Sequence, residues 1–298
     1  MEEAKGIADG FITGTSTTSI SNACSRLKYL GQEALGSRLW AGAIIGEPVV
    51  EKRRTLAEGL AILSNKEGTP GLLRALGDED GAVRMYGAQG LGRIHVREAA
   101  PKIATLLGDK TLGARREAAR ALGQFHDPRW GDALIKAAKV EEDAEVKAAM
   151  LVAAGQSGDK KQSAELEKYL AGKSETAQFA AAQGLVLLGA GSGLKFAKDK
   201  LASKDKFDRM QGLQLFEGSK AKEVAPTLEP LLKDPDRGVQ ATTARILYQG
   251  GDAKKLDWLV IESFKANGEE RLPYERELES LRLSDEDRKA ILTKAGIK

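Results

Sequence analysis

Apolar and small residues return along this chain with a period near 31 residues. The segment VRMYGAQGLG from Val83 aligns with ARREAARALG from Ala114, VKAAMLVAAG from Val146 and AQFAAAQGLV from Ala177. FDRMQGLQLF from Phe207 and VQATTARILY from Val239 continue the series, and one step backwards reaches KRRTLAEGLA from Lys52. The first position is usually apolar, as at Val83, Ala114, Val146, Ala177, Phe207 and Val239. The sixth is small or apolar, from Ala57, Ala88 and Ala119 through Leu151 and Ala182 to Gly212 and Ala244. The ninth is Leu60, Leu91, Leu122, Ala154, Leu185, Leu215 and Leu247. Offsets of five and eight put these residues on one face of a helix, so each segment predicts a helix with a buried stripe.

A shorter helix is predicted before each of these. Gly46, Gly77 and Gly108 end apolar turns (AGAIIG, LLRALG, IATLLG), and Pro70, Pro101 and Pro226 are expected in first turns, where a missing N–H costs little. Asp78, Asp80, Asp109, Asp143, Asp234 and Asp236 suit the following loops and N-caps. Gly158, Gly189, Gly218 and Gly250 suit the C-termini of second helices. One helix pair cannot bury its own apolar face, so successive pairs must stack into a solenoid.

The pattern P-x-L-x-x-L-x-D-x-x-x-V-R-x-x-A-x-x-A-L-G resembles the HEAT repeat, in the short form common in bacteria. Pro70–Ile94 and Pro101–Phe125 carry it most clearly, and it extends over about residues 31–265. The resemblance implies an all-α fold, an α-α superhelix of about seven helix-pair repeats. It specifies architecture and says little about activity, because such folds host many functions. The expected organisation is a flexible Gly/Thr/Ser-rich arm (1–22) or an arm lying on the first repeat, a repeat solenoid (23–265) and a charged helical cap (266–298). Ser284 is the expected N-cap of the last helix.

Composition narrows the function. Lys and Arg number 46 against 43 Asp and Glu, a net charge of +3, which is too balanced to announce nucleic-acid binding. With Cys24 as the one cysteine, no intramolecular disulfide or cysteine zinc cluster can form. No apolar run is long enough to span a membrane, and the first residues lack a signal-peptide pattern. A cytoplasmic location is the resulting expectation.

Catalytic motifs are scarce. His95 and His126 follow adjacent second helices, but neither belongs to H-E-x-x-H nor to the His-Glu pairs of the iron-dependent hydroxylases built on HEAT-like repeats. They read as polar loop residues. Cys24 has no histidine near it in sequence to act as a base, and reads as a structural thiol. Gly189 and Gly191 lie between helices, so their G-x-G is a turn. Neither a nucleophile elbow nor a phosphate loop occurs. No catalytic residue, metal or cofactor is expected.

The basic residues divide into two sets. Arg84, Arg115 and Lys147 share one repeat position and are expected to form an ionic ladder with loop aspartates such as Asp80 and Asp143. Other positions should face the concave side: Met85, Arg116 and Phe179; Gln89, Arg120, Val152 and Gln183; then Arg93, Gln124 and Gln156. Arg209 and Leu213 are expected there too. From Lys52 to Trp130 there are 14 Lys and Arg against 9 Asp and Glu. Such a basic and apolar groove suits an acidic-apolar segment or helix of another protein. The expected function is a noncatalytic protein-binding scaffold or adaptor. The alternatives are a chromophore handler like the HEAT-like bilin lyases of bacteria and, less favoured, a nucleic-acid binder.

Overall fold

The structure is a computed structural model describing residues 1–297, which form nineteen α-helices and, among these residues, no strand. It divides into two compact units: Met1–Glu165 with Gly172–Ala177, and Leu166–Ala171 with Gln178–Lys298.

Unit 1 is built of antiparallel pairs. Helices α1 (Glu2–Thr13) and α2 (Ile20–Tyr29) form the first, α3 (Glu33–Ile44) and α4 (Val50–Leu63) the second. Next come α5 (Thr69–Ala75) with α6 (Gly81–Arg93), α7 (Ala100–Thr105) with α8 (Leu112–Gln124), and α9 (Gly131–Val140) with α10 (Ala144–Gln156). The second helices α2, α4, α6, α8 and α10 pack side by side, and α1, α3 and α5 stack beneath them. The expected stripe is the core: Ala57, Leu60, Ala88, Leu91, Ala119, Leu122, Leu151 and Ala154 are fully buried. Small residues let the layers touch. A Cβ on Gly87 would lie 3.0 Å from the Leu76 nitrogen and 3.1 Å from the Leu72 carbonyl oxygen, both backbone atoms.

The segment expected to be a flexible arm is largely helical. Ala4 and Ala8 of α1 are buried, and the indole of the fully buried Trp40 donates to the Ala8 carbonyl at 3.1 Å. Phe11 meets Trp40 edge to face at 5.8 Å. The Gly/Thr/Ser composition hides α1 because it packs mostly on α3, over 20 residues away, and also on α2 and α4.

A ladder of arginines ties neighbouring pairs together. Arg53 binds Asp78 at 2.8 Å, Arg84 binds Asp109 at 2.7 Å, and Arg115 binds Glu141 at 2.6 Å. Each guanidinium also donates to its own loop, as Arg84 does to the Asp78 and Glu79 carbonyls. The acids therefore come from the next repeat. Asp80 and Asp143, expected as partners, instead cap α6 and α10 through the amides of Ala82 and Val83, and of Glu145 and Val146. The N-cap carboxylate accepts the helix N–H groups, and Asp80 also pairs with Arg54, but the ladder arginine is met by the acid two residues earlier, Asp78 or Glu141.

α11 (Ser163–Leu170) contributes residues to both units, as does the next helix, whose first three residues belong to unit 1. Unit 2 continues with α12 (Glu175–Leu187), α13 (Gly191–Leu201), α14 (Lys206–Gln214), α15 (Ala221–Leu228) and α16 (Arg237–Gln249), then α17 (Lys254–Lys265), α18 (Leu272–Ser280) and α19 (Asp285–Lys294). Its ladder member is Arg209, bidentate to Asp234 at 2.8 Å. This corrects the repeat register, because the unit beginning at Phe207 begins one residue later, at Asp208. Phe207 is therefore 70% exposed, while Leu213, expected on the concave surface, is fully buried beside Phe216. Pro226 lies inside α15 and not in its first turn. Gly251 takes the left-handed conformation expected of Gly250, whose carbonyl accepts the Ala221 amide at 2.8 Å. Tyr274 and Leu278 of α18 are buried against α16 and α17, and Ser284 caps α19 as expected.

Candidate functional site

The exposed side of the second-helix layer in unit 1 carries most of the residues singled out from sequence. On α8, Arg116 and Arg120 flank Glu117, whose side chain is only 7% exposed. Arg120 Nη1 donates to Glu117 Oε1 at 3.0 Å, and Arg116 Nε stands 3.5 Å from the same oxygen without a hydrogen bond. The trio carries two positive charges around one negative charge, so a net cation faces outward. Met85 of α6 lies over Gly113, its sulfur 2.7 Å from where a Cβ there would sit. Gln89 and Val152 are half-buried nearby on the same layer.

Two glutamines use the small residues of the preceding helix. Gln124 Oε1 would lie 2.7 Å from a Cβ on Gly92, and Gln156 Oε1 2.3 Å from one on Gly123, so both glycines make room for an amide. Arg93 turns back to the end of α4 and donates to the Ala61 carbonyl at 3.1 Å.

Phe179 and Gln183 belong to unit 2. Phe179 is half-buried and packs on that unit's core, so it is a packing residue as well as a surface one. Arg209, expected on the same face, is a buried ladder residue.

Sequence reasoning missed Glu117, although its i,i+3 relation to Arg120 is the signal that reveals such a pair. It also missed Tyr86, whose hydroxyl is pushed above its ordinary pKa by burial and by Glu58 on the adjacent α4.

The other chemical candidates have structural explanations. Cys24 is fully buried, its thiol 3.6 Å from the Gly59 carbonyl oxygen, and burial pushes its pKa up to about 12. A thiol held protonated is a poor nucleophile. His95 and His126 have left-handed backbones (φ 57° and 49°) directly after their helices. Gly158 and Gly189 take the equivalent place in later repeats. In unit 2 a shallow cleft of 470 Å³ is lined by Phe196, Lys200 and Asp208 among others, and Ser203 and Lys200 already bind Asp208. Among the described residues no three His, Cys, Asp or Glu side chains come together as a metal site. No single described helix is long and apolar enough to cross a membrane.

Residues 113–186 match the family model for HEAT repeats. A solved structure of the complex of CpcE and CpcF of phycocyanin lyase from Nostoc sp. PCC7120 has a similar fold: TM-score 0.59, 18% identity, 82% of this chain and 94% of the other. The chain contains HEAT repeats. Human deoxyhypusine hydroxylase in complex with glycerol also aligns, with TM-score 0.36 and 16% identity over 85% of this chain and 98% of that one. No curated protein matches the sequence. A HEAT-repeat scaffold supplies no catalytic group by itself, and any activity must come from particular residues placed on it.

Proposed function

We propose that this HEAT-repeat protein is a noncatalytic scaffold that binds another protein through the exposed second-helix face of unit 1. The carrying observation is the Arg116–Glu117–Arg120 trio beside the half-buried apolar side chains of Met85 and Val152. An acidic group of a partner segment or helix meets the two guanidinium groups, and an apolar residue covers Met85 or Val152. Gln89, Gln124 and Gln156 border this face, and Phe179 and Gln183 stand on unit 2. A protein partner also agrees with the fold neighbour, whose structure is of two proteins in complex. A cytoplasmic site of action is part of the same proposal.

The test is affinity capture from native cells with the parent chain and with Arg116→Glu, Arg120→Glu, followed by titration of the purified partner. Charge reversal is expected to slow association and flatten its salt dependence. A partner that binds both forms alike sinks this choice of surface.

A second reading is a bilin-lyase-like chromophore handler, favoured by the fold likeness to the phycocyanin lyase complex. Mixing the protein with a free bilin separates the two. A stoichiometric shift in bilin absorbance supports the handler, and an unchanged spectrum supports the scaffold.

A further inference from the structure

In unit 1 the second helices α4, α6, α8 and α10 each pass to the next first helix through one 3₁₀ turn: Lys66–Gly68, Arg97–Ala99, Pro128–Trp130 and Lys160–Gln162. These turns are neighbours along one edge. Arg93, just before the second turn, reaches back to the Ala61 carbonyl, just before the first. α6 packs directly on α8, which sets the second turn beside the third, and Arg97 adds to Arg129 in holding the Asp127 carboxyl below its usual range. His126 Nδ1 lies 3.0 Å from the Gln156 carbonyl oxygen, linking the third to the fourth.

Local structure does not ask for cations here. The C-termini of α4, α6, α8 and α10 meet the N-termini of α5, α7, α9 and α11 at this edge, so opposite helix-dipole ends cancel. A lysine or arginine ahead of a first helix is by itself unfavourable. Yet Lys66, Lys160 and Lys161 are exposed and, among the described residues, form no ion pair, while the exposed Arg97 acts only at longer range on Asp127, which is already held by Arg129. Two acids of the edge are already taken, Glu67 by Arg38 at 3.1 Å and Asp127 by Arg129 at 2.6 Å. Only Glu98 and Asp159 stand against the free cations in these turns. On the opposite edge Arg53, Arg84 and Arg115 are matched with acids, so the positive excess of these repeats lies on the turn side and on the Arg116–Arg120 face.

Spacing narrows the partner. Packed helices stand about 8–10 Å apart, so successive turns follow at about that step. Three residues of an extended chain cover about 10 Å. We propose that the edge running from Lys66 through Arg97 to Lys160 and Lys161 docks an extended acidic protein segment with a carboxylate at about every third residue. A nucleic acid fits less well, because the chain's net charge is only +3. These residues are separate from the Arg116–Arg120 face, so the edge stands or falls independently of it.

Fluorescence anisotropy with the full chain tests this. The probe is a labelled Gly/Ser peptide of about 18 residues with glutamate at every third position. Its controls are an isomer with all glutamates in one block and a single-stranded DNA of similar length. The spaced peptide is expected to bind better than the block isomer and the DNA. Arg97→Glu with Lys160→Glu and Lys161→Glu should weaken it about tenfold or more, with an unchanged circular dichroism spectrum. Arg116→Glu with Arg120→Glu should stay within about twofold of the parent. No binding of the spaced peptide, equal binding by the triple variant, or an equally tight block isomer overturns the proposal. Tighter binding of DNA overturns it in favour of a nucleic acid.

Discussion

Asp80 shows how much one side chain carries in this fold. Its Oδ1 accepts the Ala82 and Val83 amides that open α6, and both its oxygens accept from Arg54, at 3.0 and 2.6 Å. The Arg54 guanidinium, with the two amides, holds the Asp80 carboxyl down at about 2, against the opposing effect of its partial burial. Because the folded value lies below the unfolded one, the stabilisation is complete above about pH 4 and is lost as pH falls through 2. Asp80→Ala is therefore expected to cost about 1 kcal/mol at neutral pH, and thermal melts should show the gap to the parent narrowing near pH 2. A gap that stays constant would show that the charge is irrelevant. The sequence showed a loop aspartate at this position. It could not show that Asp80 both caps the helix and meets Arg54 while Asp78 meets the ladder arginine Arg53, since that depends on the direction each carboxylate takes.

Helices in this protein are held at both ends by repeating devices, and the two devices differ in energy. At one end, Arg84 is 9% exposed and pairs with Asp109 while donating to two carbonyls. Arg84→Ala leaves that carboxylate and those carbonyls without their partner, so a loss of about 3 kcal/mol or more is expected in urea unfolding. At the other end, His95 stands at φ 57°, a conformation that costs a side-chain-bearing residue about 1 kcal/mol or more and a glycine almost nothing. Its ring contact is to the Arg93 carbonyl of its own turn. His95→Gly should therefore match or exceed the parent in stability, whereas Gly158→Ala should lose about 1 kcal/mol. A large loss on His95→Gly would restore a role for that ring. Glycine at these ends was legible from the repeat alignment. The left-handed histidines were not, because only their equivalence with Gly158 and Gly189 reveals the conformation.

For the molecule as a whole, each helix pair is stabilised by its neighbours, so unfolding is expected to depart from a single cooperative step. The end pairs have one neighbour each and depend on special contacts. Removing residues 1–14 uncovers Trp40, which is fully buried by α1 and by packing within the second pair. That deletion should cost about 2 kcal/mol or more and shift tryptophan fluorescence to longer wavelength. An unchanged spectrum would show that α1 is dispensable to the core. The period alone placed the stack between Lys52 and Tyr248. The HEAT resemblance and the helical reading of the ends extended it to 23–265 with a cap over 266–298, and the structure adds α1 before it and forms the cap from α18 and α19.

The all-α class, the helix pairs and the core stripe follow from the sequence by itself, because a period near 31 with small residues at the sixth position and apolar ones at the ninth admits few other packings. Local sequence also marked the loop aspartates and two of the ladder arginines, Arg84 and Arg115, but not Arg53 or Arg209, and it counted Lys147, for which no ion pair is seen among the described residues. Only the tertiary structure decided which acid each arginine reaches, since Arg53, Arg84 and Arg115 bridge to residues 25 or 26 positions on, in another repeat. It also decided the register at Phe207, where one residue separates an exposed ring from a buried one, and the helical state of the first residues, which rests on Trp40. The candidate surface divides the same way. Arginines at 116 and 120 are visible in the text, while Glu117 between them, buried and neutralising half their charge, is a product of how α8 is packed.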